Sequence, residues 1–202
     1  MLASQLYATT DVLPVAGLDR LAEHLPNAWI EQALEATGTA SIRRRRLPAE
    51  QVVWLVIALA IYRRQSMPEV LATLDLALSA ASAQAVSKSA VTQARQRLGA
   101  KPLAQLFDQT ARAWCQQDAE YHAWQGLSLW AMDGTTFRTP DSTNNRAHFG
   151  AQAYASGKVA SYPQVRAVSI TAIPTHLVSD IAFGTYAQNE MLHAKTLVGR
   201  SA

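Results

Sequence analysis

Residues 127–150 read LSLWAMDGTTFRTPDSTNNRAHFG. The opening LSLWAM is a short apolar run, and its length and the neighbouring Gly126 favour a strand over a helix. It delivers Asp133 into a small-residue turn, Gly134-Thr135-Thr136, at what reads as the carboxyl end of a buried strand. A carboxylate desolvated on its flanks is costly there, so a cation, a hydrogen-bond donor or a metal is expected to meet it. Arg138, Pro140, Asp141, Asn144, Asn145 and Phe149-Gly150 follow at short spacing.

Downstream, residues 134–163 are rich in Gly, Ser, Thr, Asn and Pro and read as a long irregular connection. A structureless loop of that length is uncommon and points to function or to order imposed by packing. Two strand candidates, 165–173 and 177–183, flank Pro174-Thr175-His176, a hairpin signal. A helix is predicted over 188–198, with Leu192, Ala194, Leu197 and Val198 apolar.

Upstream, the first 120 residues read as helical. Leu18, Leu21, Ala22 and Leu25 recur at helical spacing before Pro26, and Trp29, Ile30, Ala33 and Leu34 repeat it up to Gly38. The segment 37–46 reads as a loop carrying four consecutive arginines. Pro48 and Glu50 then open an apolar helix over 49–62, closed by Arg63-Arg64 at the negative end of its dipole. Apolar on every side, this helix is expected to be surrounded by neighbours. Ser66 and Glu69 have the spacing of a capping box for the next helix. An Ala/Ser-rich loop over 79–88 precedes a helix from Ser89 to Leu98, stopped by Gly99, and Pro102 starts a long one.

Bulk properties narrow the function classes. The chain has 202 residues, 49% hydrophobic and 16% charged, enough for one large or two small cores and unlike a disordered protein. Its longest apolar run, Val52 to Tyr62, has 11 residues, against about 20 needed to span a bilayer. No basic-then-apolar leader is evident. The single cysteine, Cys115, excludes an intrachain disulfide and fits a reducing cytoplasm. Net charge is only +3, but it is unevenly spread. Residues 1–42 set Arg20 against five acids, net −4. Residues 43–101 hold ten cations against Glu50, Glu69 and Asp75, net +7. That excess suits a polyanion; a merely solvated face gives the same count.

The block WAMDGTTFRTPDSTNNRAHFG resembles the first catalytic block of DDE transposases of the insertion-sequence-four family. The acid followed by Gly134 and Thr135, the pair Pro140-Asp141, then Asn145 and Phe149-Gly150 carry the resemblance. Phe183-Gly184, Tyr186, Asn189-Glu190 and Ala194 are similar to the family's second short block. The combination is specific, whereas each piece alone is weak. The resemblance implies an α+β fold: a helical amino-terminal DNA-binding domain, 1–122, then the opening of a ribonuclease-H-like core, 123–202, with three antiparallel strands and a helix. It implies a bacterial, cytoplasmic, DNA-associated protein of a mobile element.

In that family the first Asp helps hold two divalent metals, Mg²⁺ or Mn²⁺, for phosphodiester cleavage and joining. The resemblance gives Asp133 that role as catalytic metal ligand. The other two acids of the family do not appear in this sequence, so the chain alone is expected neither to cut nor to join DNA. An unpaired edge on the Asp133 strand would favour self-association. Read without the resemblance, Asp-Gly is a common turn pair. Asp141 and Asn145 are expected to support the Asp133 site, although an Asx turn accounts for Asp141 equally well. Arg138 and Arg146 suit phosphate contacts or neutralisation of Asp133 or Asp141. Asp180 is assigned a structural role and Glu190 a helix-dipole role. His148 and Cys115 have no partner pattern for zinc.

The helix SKSAVTQARQRLG supplies the second functional feature. Val91, Ala94 and Leu98 are predicted to face inward, leaving Lys88, Thr92, Gln93, Arg95, Gln96 and Arg97 for phosphates and base edges. Together with Arg43, Arg44, Arg45 and Arg46 they form the candidate interface for double-stranded DNA at transposon terminal repeats. The alternative is a non-catalytic DNA-binding or regulatory protein that uses segment 43–101 alone.

Overall fold

The computed structural model describes residues 16–40, 47–78, 87–117, 120–154 and 157–201. Arg43, Arg44, Arg45 and Arg46, and the Ala/Ser-rich loop as far as residue 86, lie outside the described residues. The fold is mixed: among the described residues there are eight helices and one three-stranded antiparallel sheet. In order they are α1 (Ala16–His24), α2 (Asn27–Ala36), α3 (Ala49–Ile61), α4 (Met67–Leu78), α5 (Lys88–Leu98) and α6 (Lys101–Gln116). There follow β1 (Trp130–Arg138), α7 (Thr143–Phe149), β2 (Gln164–Ala172), β3 (Val178–Thr185) and α8 (Glu190–Ser201). The chain forms two compact units, Met1–Gln109 and Thr110–Ala202.

The first unit is built around α3. Its Val52, Val53, Trp54, Leu55 and Ala58 are buried, and α2, α4 and α5 pack against it. Those helices contribute Ile30 and Leu34, Val70 and Leu74, and Val91, Ala94 and Leu98 to one apolar cluster. The expectation of a surrounded helix holds, because an all-apolar cylinder leaves water only when covered on several sides. At the start of α4 the Ser66 amide donates to Glu69 Oε2 at 2.6 Å, the backbone half of the expected capping box. That bond holds the Glu69 carboxyl below its usual range.

The second unit is the sheet β1-β2-β3 with α8 packed on β2 and β3. Val168, Ile170, Ala182 and Leu197 form its small core. The hairpin at 174–177 is present and carries His176 in the left-handed region, φ 57°.

Two expectations fail in this unit. The strand does not end at Asp133: β1 runs on through Gly134, Thr135, Thr136 and Phe137 to Arg138, in register with Val168 to Gln164 of β2. Thr135, Thr136 and Phe137 are good strand formers, and antiparallel pairing overrides the local turn signal of Asp-Gly. Nor is the strand buried. β1 is an outer strand of the described sheet and is solvent-exposed almost throughout, with Trp130, Met132 and Phe137 among its exposed side chains. The stretch after it is also more ordered than expected. Ser142 Oγ caps α7 by accepting from the Asn145 amide, and Gly150, at φ 73°, ends the helix. Gln164 then donates to the Gly150 carbonyl and Tyr186 to that of Phe149, tying the segment to the sheet.

Candidate functional site

Asp133 stands near the middle of β1, opposite Ser169, and is exposed. Its Oδ1 accepts the Gly134 amide at 2.8 Å, which leaves the second oxygen uncommitted. No ion pair of Asp133 occurs among the described residues. The desolvated, partnered carboxylate expected from the sequence is therefore a solvated one with a free oxygen, because the strand that carries it is an edge. An exposed carboxylate oxygen fits one hard ligand of a divalent cation. Among the described residues no group of three His, Cys, Asp or Glu side chains gathers to hold a metal, so Asp133 is at most part of such a shell.

Asp141 and Asn145 organise the α7 turn. Both Asp141 oxygens accept from Arg146, Oδ1 from Nε at 2.5 Å and Oδ2 from Nη2 at 2.9 Å. This bond is the main reason the Asp141 carboxyl lies below its usual range. Arg146 also donates to the Ser161 carbonyl at 2.7 Å, and Asn145 Nδ2 to that of Pro140 at 2.9 Å. None of these bonds involves Asp133. Arg138, exposed at the end of β1, lies over the Tyr162 ring at 4.2 Å in a cation–π contact. Asp180 accepts from Arg200 at 3.3 Å and from the Ile181 amide at 2.7 Å, in keeping with a structural role. His148 packs edge-to-face on Phe149, and burial pushes the Cys115 thiol up.

The second motif gathers under the loop after β3. Arg166 stacks over Tyr186 at 4.7 Å and donates to the Gln188 carbonyl at 3.3 Å. Gln188 Oε1 accepts from the Thr185 amide and crosses Gly184, where a side chain would collide with it. Asn189 Oδ1 accepts from the Met191 amide at the start of α8. The Glu190 side chain, read from the sequence only as a dipole partner, lies against Gly134 of β1. A glycine inside a strand was the one sequence signal for such an approach.

On α5 the predicted faces are the observed ones. Val91, Ala94 and Leu98 are buried, while Lys88, Thr92, Gln93, Arg95, Gln96 and Arg97 are all exposed. Ser87 Oγ caps the helix by accepting from the Ala90 amide at 3.2 Å. Arg95 and Arg97 sit in its last turn, and α5 has no acidic side chain to neutralise them.

Residues 15–108 match the family described as insertion element 4 transposase N-terminal. Over this amino-terminal region the chain is similar to insertion element 4 transposases. Transposase InsG for insertion sequence element IS4, from Escherichia coli (strain K12), is 38% identical over 181 residues, 90% of this chain and 40% of InsG. InsZ of the same strain, a transposase candidate, is 34% identical over 191 residues, 93% of this chain and 61% of InsZ. The chain thus spans between two-fifths and three-fifths of the length of these relatives. Both alignments extend well beyond residue 108 and so take in part of the sheet unit as well as the helices. No solved structure matches.

Proposed function

We propose that this chain is the amino-terminal portion of a DNA transposase, with terminal-repeat DNA as its partner. In this reading 1–122 is a helical DNA-binding domain and 123–202 opens a ribonuclease-H-like catalytic domain. The observation that carries it is the exposed face of α5 within a region of this transposase family. Lys88, Arg95 and Arg97 offer phosphate contacts, and Thr92, Gln93 and Gln96 offer hydrogen bonds to base edges. Arg43, Arg44, Arg45 and Arg46 extend the basic segment in sequence, and Arg138 provides a further exposed guanidinium.

Asp133 is the first metal ligand in this proposal, with Mg²⁺ or Mn²⁺ as the cation and Asp141 and Asn145 supporting the loop beyond it. The bound metals of the complete enzyme would supply an activated nucleophile and charge stabilisation on the leaving oxygen. This chain's own contribution is one carboxylate oxygen presented on a strand fixed by its pairing to β2. Cutting and joining are assigned to the complete enzyme, which needs carboxylates from further elements.

The test is binding of the chain to labelled terminal-repeat DNA of its element and to scrambled DNA across a salt series. Preference for the repeat is expected. The pair Arg95→Glu and Arg97→Glu should weaken binding and flatten the salt dependence by about two phosphate contacts. Unchanged affinity and slope in that variant would remove α5 from the interface. Equal, steeply salt-sensitive binding to both DNAs would favour a non-catalytic basic DNA-binding protein instead.

A further inference from the structure

The outward side chains of α5 are arranged in an order finer than exposure. Successive residues of a helix are turned by about 100°, and the buried Val91, Ala94 and Leu98 fix the direction of the apolar cluster. Measured from the opposite direction, Ser89 and Gln96 lie within about 15° and Gln93 within about 45°. These three exposed residues form the crest of the helix. Lys88 and Arg95 fall on one flank and Arg97 on the other, each about 85–115° from the crest. Cations therefore bracket a neutral polar ridge on both sides, and α5 holds no acid.

The hydroxyls of this face are already engaged. Ser89 Oγ lies 3.1 Å from Ser87 Oγ, and Thr92 Oγ1 donates its proton to the Lys88 carbonyl at 3.0 Å. Thr92 keeps only lone pairs and a methyl for an outside partner. Gln93 and Gln96 are different: among the described residues neither side-chain amide takes part in a hydrogen bond. Each offers solvent one acceptor and two donors from a rigid helix, three residues apart on neighbouring turns. An amide of this kind matches adenine in the major groove, its carbonyl accepting from N6 and its NH₂ donating to N7. That groove is about 12 Å wide, admits a helix of about 10–12 Å, and is walled by phosphates on both sides. Amides on the crest and cations on both flanks complement it in shape, charge and hydrogen bonding. An acidic protein surface would use the cations and leave the two amides without a matched partner.

We infer that Gln93 and Gln96 are the residues by which this chain tells one DNA sequence from another, each reading an adenine in the major groove. Lys88, Arg95 and Arg97 grip the phosphates of the two walls and carry no sequence information. The inference rests on the reading of α5 as a DNA-binding helix and goes beyond it by separating readout from grip. Side chains three apart on a helix are about 5–6 Å from each other at Cβ, and base pairs rise about 3.4 Å. The two adenines therefore belong to base pairs one or two steps apart.

The experiment uses the full chain with labelled terminal-repeat DNA and a panel in which each A·T pair is replaced in turn by G·C. Replacing either of two A·T pairs, no more than two steps apart, should weaken wild-type binding about 5- to 150-fold. Gln93→Ala and Gln96→Ala should each lose affinity for the repeat by a similar factor and become indifferent to one of those pairs. Both should keep the wild-type salt slope, affinity for scrambled DNA and melting temperature. Arg97→Ala should do the reverse, binding every DNA more weakly with a slope lowered by about one phosphate contact. If the wild type discriminates and Arg97→Ala weakens it, but both glutamine variants discriminate like the wild type, the readers lie elsewhere and α5 remains a gripping helix. A glutamine variant that loses affinity equally for repeat and scrambled DNA also overturns the readout. No preference of the wild type for the repeat overturns the inference, and unchanged binding by all three variants removes α5 from the interface altogether.

Discussion

Arg146 grips Asp141 by both carboxylate oxygens, Nε to Oδ1 at 2.5 Å and Nη2 to Oδ2 at 2.9 Å. The same guanidinium reaches the Ser161 carbonyl, so one side chain links α7 to the segment that enters β2. The first prediction follows from this clamp. The folded protein holds the Asp141 carboxyl below its usual range, chiefly through the Arg146 hydrogen bonds. The clamp's contribution to order is therefore full at neutral pH and is lost as pH falls below the ordinary carboxylate range. Hydrogen exchange over residues 142–163 should rise at that point. Asp141→Asn should show the raised exchange at neutral pH, with little effect on global stability because both groups are solvent-exposed.

The helical unit should depend on α3 packing. Leu55 is 1% exposed and lies in the apolar cluster shared with α2, α4 and α5. Leu55→Ala is expected to cost about 2–5 kcal/mol, by lost transfer energy plus a residual cavity. Chemical denaturation of the full chain measures it; a loss under 1 kcal/mol would mean that the unit repacks freely.

β1 should drive self-association. Trp130, Met132 and Phe137 are 44%, 42% and 54% exposed on an outer strand, the arrangement that invites edge pairing between copies. Sedimentation velocity should show concentration-dependent association of the wild type. Phe137→Lys should suppress it by placing a charge on the edge. Equal association of both proteins would move the contact elsewhere.

The β2–β3 hairpin holds a small strain. His176 has φ 57°, a region where a Cβ costs about 1–2 kcal/mol, partly offset by the greater chain entropy that glycine would lose. His176→Gly should therefore raise stability by up to about 1 kcal/mol. A thermal melt tests it, and a lower midpoint would show that the imidazole makes a compensating contact.

Periodicity was enough for the helices. Ile30, Ala33 and Leu34, and Val91, Ala94 and Leu98, are buried residues that helical spacing picks out, while Val52, Val53 and Leu55 are buried on the helix that is apolar on every side. The polar face of α5 is the complement of the same rule. At β1 local signals misled: Asp-Gly read as a turn and LSLWAM as a buried strand. Pairing with β2 extends the strand past the glycine, and a place at the sheet's edge exposes it. The seven residues of α7 were hidden in a loop-like composition. A short helix of polar residues has no apolar stripe to announce it, and here its order comes from the Ser142 cap and the Arg146 clamp.

The sequence by itself determined the resemblance to insertion-sequence-four transposases, the inward and outward faces of the helices, and Asp133 as the residue to watch. These are properties of spacing and residue type, which local chain geometry translates directly. Only the tertiary structure decided that Asp133 is solvated rather than buried, that Asp141 belongs to Arg146, and that Glu190 reaches Gly134. The contact of Glu190 with Gly134 joins groups whose separation in the chain says nothing about their distance in space. That distance is set by how β1 registers on β2 and how α8 packs across the sheet.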